Sequence, residues 1–333
     1  MSKEHKKDKE KETQDTGKYR TNTKDQFYTS PDVAKKCIQI LISVLHDAAL
    51  HSPAPVLPLS SYLWVEPSAG NGAFLNNIPE TYDKIGIDIE PGPGAGANIV
   101  KQDFLTWVPP VQKTKTNQKP VIIFGNPPFG RQSSLAKAFI AHSCKFPTTS
   151  TIAFILPRSF VKPSMSSAFD LHFHSIHSSD VERNAFVLGG GDASYDVPCV
   201  FQIWQKRSVS RIVPEKITEK GFQYVKETDP RDIVIRRVGV YAGRCFDSGG
   251  VGAGDINNAT EYNKQTHYFI KLDEQFVAVQ HVKEIVAKIN AHVFPTNTTG
   301  PRSLSKPEIN IVLNEILNQV IGACVIHAHA ENL

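Results

Sequence analysis

The chain of 333 residues predicts an α/β fold: a doubly wound, mostly parallel sheet followed by a smaller C-terminal α/β region. Three observations carry that expectation. Short apolar runs rich in β-branched and aromatic residues recur at 62–65, 84–87, 121–124 and 151–156, and runs of that length suit buried strands. Helical spacing or turn-forming sequence separates them, as parallel strands require. Each run stops at Gly, Pro or a carboxylate, so each strand delivers a sharp turn or a charged side chain to the loops at its end.

Residues 1–24 hold eight Lys/Arg and five Asp/Glu without apolar anchors, and read as a disordered charged tail. They carry +3 of the net charge of +4, so the rest of the chain is nearly neutral. A neutral body argues against a strong sequence-independent grip on phosphates by the fold as a whole. Ser30 with Pro31 predicts a helix start, and Val33, Cys37, Ile40, Leu41 and Val44 continue it at helical spacing to about Leu50. A Pro-rich connection at 51–60 precedes the strand at 62–65. Glu66-Pro67-Ser68-Ala69-Gly70-Asn71-Gly72 follows, then a helix start at Ala73-Phe74-Leu75. The strand at 84–87 ends in Asp88-Ile89-Glu90-Pro91, and the PGPGAGA loop at 91–97 leads to Ile99-Val100 and Gln102-Asp103-Phe104-Leu105. After the polar stretch 111–119, Val121–Phe124 runs into Gly125-Asn126-Pro127-Pro128-Phe129.

Leu135–Ile140 then predicts a helix, Phe169–Ile176 an alternating strand, and Val197–Trp204 another strand behind a glycine bend at 189–191. From 207 the character changes. Strands are expected from Ile233 to Tyr241 and over His267–Leu272, with a glycine-rich loop at 247–260 between them. An amphipathic helix is expected over His281–Val293, and Ser305-Lys306-Pro307-Glu308 reads as a capping box for a helix to about Val320.

Five scattered cysteines without C-x-x-C suit a reduced intracellular compartment, and the charged N-terminus is no secretory signal. No apolar run approaches the ~20 residues of a membrane helix. His172, His174 and His177 lack a Cys or carboxylate at ligand spacing, and no metal site is expected.

The chemistry concentrates at three strand ends. The turn 66–72 carries two glycines, which let a ligand approach the backbone closely. Asp88 lies at the end of the next strand, where nucleotide-like ligands have their ribose hydroxyls held. In the turn 126–129, Pro127 and Pro128 fix φ and remove donors, leaving carbonyls to accept. Asn126 adds a side-chain acceptor and Phe129 a flat apolar face, a combination that suits a planar ring with an exocyclic amine.

Taken in order, Gln26-Phe27-Tyr28-Thr29-Ser30-Pro31, the Glu66–Gly72 turn, Gly86-Ile87-Asp88-Ile89, Asp103-Phe104-Leu105 and Asn126-Pro127-Pro128-Phe129 resemble class I S-adenosylmethionine-dependent N6-adenine methyltransferases. These are the enzymes of restriction–modification systems, phages and large DNA viruses, and the resemblance covers about 25–206. It implies a Rossmann-like catalytic domain over 25–206, with 207–333 as a target-recognition segment or its remnant. It implies S-adenosyl-L-methionine as cofactor and DNA as the substrate, with adenine flipped out or unpaired. RNA adenine methylation, protein glutamine methylation and an inactive cofactor-binding subunit are the alternatives. Against glutamine methylation stand Phe129, where that family usually has Tyr, and the Glu66-Pro67-Ser68 opening.

The resemblance implies a role for each matching residue. Thr29 contacts the methionine end of the cofactor. Glu66, Pro67, Ala69 and the amides of Gly70 to Gly72 surround its methionine and sugar side. Asp88 accepts from the ribose hydroxyls and Ile89 packs on the adenine ring. Asp103 accepts from the cofactor's own amine, with Phe104 stacked beside it. Asn126 and the Pro127 carbonyl, braced by Pro128, take the target amine, while Phe129 and Phe186 hold the target base. Ser30 stands where many relatives have Pro, with Pro31 one place later.

Overall fold

The computed structural model describes residues 27–52, 55–92, 94–110, 118–188, 194–195, 197–213, 215–248, 262–296 and 302–330. The charged tail 1–24, most of 111–119, the bend 189–191 and most of the loop 247–260 lie outside them. The chain divides into two compact units, one formed by Arg20–Val213 and the other from Pro214 onward. Residues past 206 stay with the first unit because Arg207 N donates to His172 O at 2.8 Å and the Arg211 guanidinium donates to the carbonyls of Ser166, Phe169, Asp170 and Phe173.

The first unit opens with β1 (Phe27–Thr29) and α1 (Pro31–Leu50). Ser30 caps α1 as expected: its Oγ accepts from Val33 N at 3.4 Å, with Pro31 at the first helical position. The central strands follow as β2 (Leu63–Pro67), β3 (Asp83–Asp88), β4 (Ile99–Lys101) and β5 (Val121–Gly125). Then come α2 (Ser134–Lys145), β6 (Thr149–Pro157), β7 (Phe173–Asp180), β8 (Phe186–Leu188), β9 (Ser194–Tyr195) and β10 (Cys199–Lys206).

Seven strands form one sheet in the order β4-β3-β2-β5-β6-β10-β7. The first five pair in parallel, and β10 runs antiparallel between β6 and β7. This is a Rossmann-like, doubly wound sheet with a reversed strand inserted near one edge. Alternation along each strand divides the core. Trp64, Ile122, Phe124, Ala153 and Ile155 face α1, whereas Val65, Ile123, Ile152, Phe154 and Leu156 face α2.

Two expectations in this unit need correction. The turn after β2 does not open a helix; 15 residues separate β2 from β3 and hold only a 3-10 turn at Leu75–Asn77. Pro79 is the physical reason, because it drives the preceding Ile78 to an extended conformation (φ −84°, ψ 133°). The strand expected from Phe169 begins at Phe173, since Phe169 closes the preceding 3-10 turn and stacks on Trp204 with centroids 4.0 Å apart. His172 therefore precedes the strand instead of sharing its face with His174.

The second unit is a four-stranded antiparallel sheet with two helices. Its strands are β11 (Phe222–Val225), β12 (Ile233–Arg236), β13 (Cys245–Asp247) and β14 (His267–Leu272), in the order β11-β14-β12-β13. Ile233, Ile235, Ile270 and Leu272 pack with Ile285 and Ile289 of α3 (Val279–Ala291) and Leu313 and Leu317 of α4 (Lys306–Ala330). Glu308 Oε2 accepts from Ser305 N at 2.8 Å, half of the expected capping box. The strand expected to reach Tyr241 stops at Arg236, where a turn with Gly239 (φ 94°) and Gly243 (φ 99°) begins. Among the described residues no helix is long and apolar enough to cross a membrane.

Gly86 of β3 lies under the turn that follows β2. A Cβ there would come within 2.8 Å of Ala69 Cβ and 2.9 Å of Ile99 Cγ1. Gly86→Ala should therefore lower stability by about 1–3 kcal/mol through overpacking. Urea unfolding checks this, and an unchanged midpoint would show that the turn is not packed as described.

Candidate active site

The chain runs outward from β2 to β3 and β4, then returns to β5 on the other side of β2. The carboxyl ends of β2 and β5 thus flank the topological switch point, where open α/β sheets place ligands. A cavity of about 410 Å³ opens there, within the range of small-molecule sites. It is lined by the turns after β2, β3 and β5, by Tyr28 and Thr29 of β1, and by Phe186 of β8.

After β2, Glu66 is 2 % exposed, and its Oε2 accepts from Leu75 N at 2.7 Å. Burial pushes this carboxyl well above the usual carboxylate range; the Leu75 and Phe74 amides pull it down, and nearby Asp88 pushes it up again. Ser68 carries φ 58°, a left-handed conformation that is costly for a residue with a side chain. Asp88 accepts from Gly70 N at 2.7 Å and from Glu90 N at 2.7 Å, locking the second strand's end to the first turn. Gly92 N closes the same arrangement onto Gly70 O at 2.9 Å, so the PGPGAGA loop is tied to the turn at its start.

After β5, Gly125 has φ 131°, a conformation that favours glycine, and its missing side chain leaves room for Glu66, whose Cγ would lie 3.2 Å from a Cβ. The amide of Asn126 comes next. Its Nδ2 donates to Thr29 Oγ1 at 3.2 Å, and its Oδ1 is buried with no partner. Pro127, Pro128 and Phe129 complete this wall. Thr29 and Phe186 meet because β1 pairs antiparallel with β8, in register Thr29↔Phe186.

The structure brings Thr29, Glu66, Ala69, Gly70, Asp88, Ile89, Asn126, Pro127, Pro128, Phe129 and Phe186 to one cavity. Four others do not line it. Asp103 is exposed, and its Oδ1 accepts from Leu105 N at 2.9 Å, closing its own turn. Phe104 is 2 % exposed and packs against Phe139 and His142, with centroids 5.1 Å away in each case. Its ring is core, so stacking on a ligand is not available to it in this arrangement. Pro67 is buried as the last residue of β2. Gly72 N donates to Ala69 O at 2.7 Å, and with Gly70 N bound to Asp88 both glycine amides of the turn are committed internally. The cavity also takes in Tyr28, Ser68, Leu135 and Val197. Tyr28 is the chain neighbour of Thr29; Leu135 and Val197 carry no signal beyond hydrophobicity.

No protein-family model and no curated protein matches the chain. Solved structures do match in part. They include the 23S rRNA methyltransferase ErmE (15% identity, TM-score 0.34, covering 55% of this chain and 70% of that one). A dimethyladenosine transferase from Plasmodium falciparum matches with 15% identity and a TM-score of 0.34, covering 55% of this chain and 64% of its own. The E. cuniculi Mtq2–Trm112 complex, responsible for methylating the termination factor eRF1, matches with 12% identity and a TM-score of 0.33, covering 55% of this chain and 99% of that one.

Glu66 generates a pH prediction. Its folded pKa lies above its unfolded value, so between the two the native state binds more protons than the unfolded state. Stability from this group is therefore lost as pH rises from the ordinary Glu range, about 4.3, towards the raised value. Glu66→Gln keeps an acceptor for Leu75 N–H and removes the titration. The variant should gain on the wild type as pH is raised from 5 to 8, followed by denaturant midpoints of the ligand-free proteins. A difference that does not change with pH would place Glu66 in an ordinary solvated environment.

Proposed function

We propose that this chain is an S-adenosyl-L-methionine-dependent methyltransferase that methylates the N6 amine of adenine in DNA, on a base that is flipped out or unpaired. The observation that carries the reading is the buried, unpartnered Oδ1 of Asn126, a residue that lines the cavity together with Glu66, Asp88 and Phe129. An unsatisfied buried acceptor costs about 1–3 kcal/mol unless a ligand supplies the donor.

The residues present fit the cofactor. Glu66 is a buried carboxyl suited to the ligand's ammonium, Asp88 has lone pairs left beside its two amide bonds for ribose hydroxyls, and exposed Ile89 offers an apolar face for the adenine. When bound, the cofactor supplies a methyl group on a sulfonium.

The chain's own residues activate the acceptor. An exocyclic amine shares its lone pair with the ring and is a poor nucleophile. Asn126 Oδ1 and the Pro127 carbonyl would accept its two hydrogens and draw the nitrogen towards sp3 geometry. Positive charge develops on that nitrogen as the methyl group arrives and the cofactor's sulfur leaves as a thioether; carbonyl dipoles stabilise that charge, and the methylated nitrogen then loses one proton to water. Phe129 stacks on the base and stabilises the same charge through its π face. No strong general base is required.

Asn126→Ala should reduce methyl transfer by at least ~100-fold, the scale of losing one such preorganised acceptor or donor, and leave cofactor affinity nearly unchanged. Labelled cofactor with genomic DNA and total RNA, followed by mass analysis of nucleosides, reads the product directly. Full activity in the variant would remove the mechanism, and methyladenine in RNA alone would move the substrate to RNA.

The second unit is proposed to contact the nucleic acid. Its turn 237–244 exposes Val240 and Tyr241, with the Arg236 guanidinium 6.0 Å from the Tyr241 ring and exposed Arg244 5.6 Å from that of Phe246. Arginines beside exposed aromatics suit phosphates and unpaired bases. Replacing Arg236 or Arg244 by Ala should weaken oligonucleotide binding and lower the salt slope by about 1 for each. Anisotropy titrations at several salt concentrations check this; unchanged slopes would take the turn out of the interface.

A further inference from the structure

The Thr29–Asn126 hydrogen bond joins residues 97 apart in sequence. It exists because β1 is laid against β8 and because Ser30, next in the chain, caps α1 and donates its N–H to Ala185 O at 2.9 Å. Thr29 is thus held by a strand pairing on one side and a helix cap on the other, and it is 5 % exposed. Asn126 is held less firmly by its own backbone. Its terminal torsion is broad and roughly two-fold, so the amide can present either oxygen or nitrogen to the cavity. Only the oxygen orientation offers the amine an acceptor; the reversed amide would place hydrogens against hydrogens.

We propose that Thr29 is a positioning residue for the acceptor amide. In the observed orientation its hydroxyl oxygen accepts from Asn126 Nδ2 at 3.2 Å, which leaves Asn126 Oδ1 as the group offered to the target amine. This deepens the methyltransferase reading and rests on it. It gives Thr29 a different task from contact with the cofactor, and the two tasks separate in kinetics. A cofactor contact alters cofactor affinity, whereas an amide anchor alters turnover at saturating cofactor.

Thr29→Val keeps the side-chain shape and removes the acceptor; Thr29→Ser restores the oxygen. The valine variant should lose about tenfold or more in kcat, the scale of one hydrogen bond acting in the transition state. Its affinity for S-adenosylhomocysteine, measured by calorimetry, should stay within twofold, and the serine variant should recover most of kcat. Weaker binding with unchanged kcat would overturn the proposal in favour of a cofactor contact, and so would a valine variant as active as the wild type. If the wild type transfers no methyl group, the methyltransferase reading fails separately. The anchor is then read from the side-chain amide resonance of Asn126 in protein labelled with 15N-asparagine, identified by its loss in Asn126→Ala. That resonance should move in Thr29→Val and return in Thr29→Ser; an unmoved resonance overturns the proposal.

Discussion

A side-chain carbonyl buried without a donor organises this molecule. Asn126 Oδ1 sits at the end of β5, inside the sheet's switch point, with no protein group to satisfy it. Buried acceptors are rarely left so, because water has been removed without replacement. Several features of the fold converge on keeping that oxygen in place. Thr29 holds the other end of the amide, Gly125 turns the chain ahead of it, and Pro127 and Pro128 stiffen the backbone beyond it. The β1–β8 ladder exists outside the main sheet and brings Thr29 and Phe186 to the same wall. Elements that look peripheral in the topology are therefore those that complete the cavity.

The opposite wall is built on acids. Glu66 and Asp88 end adjacent parallel strands, and each carboxylate is held by backbone amides from the turns. Those amides satisfy carboxylate lone pairs, and at Glu66 burial favours the protonated form. One glycine amide of the turn, Gly70 N, orients Asp88, and the other, Gly72 N, closes the turn on Ala69 O, so neither is free as simple glycine-turn logic suggests. The close approach at Gly86 and the strained Ser68 serve the same end, since both draw the turn tightly over β3.

Much of this was legible in the sequence because it is local. The strand positions follow from short apolar runs ending in turn residues, and Glu66, Asp88 and Asn126 are each the first polar side chain at or past a strand's apolar stretch. Among the expected site residues that do not line the cavity, Asp103 and Phe104 have a local context that fits two environments. Asp103-Phe104 follows a strand just as the other motifs do, yet Phe104 turns inward onto Phe139 and His142 because α2 brings an aromatic cluster beneath it. The helix expected after the glycine turn fails on a single residue, Pro79. The partnership of Thr29 with Asn126 is invisible at the sequence level, since it depends on a strand pairing that no periodicity reveals.

The cavity's polarity narrows the chemistry further than its shape does. Asn126 Oδ1, Glu66 and Asp88 are acceptors, and Pro127 adds a carbonyl while lacking an N–H. A site so composed prefers ligands that bring donors and positive charge. Under the proposed function, an amine conjugated to a flat ring would supply both hydrogens to the turn and a face to Phe129, whereas a hydroxyl would bring a single hydrogen. On the cofactor side of the same proposal, an ammonium and a pair of ribose hydroxyls would match the acids. Under the proposed function these acceptors meet the donors that cofactor and target base carry, while the hydroxyls of Tyr28, Thr29 and Ser68 in the same lining remain able to donate.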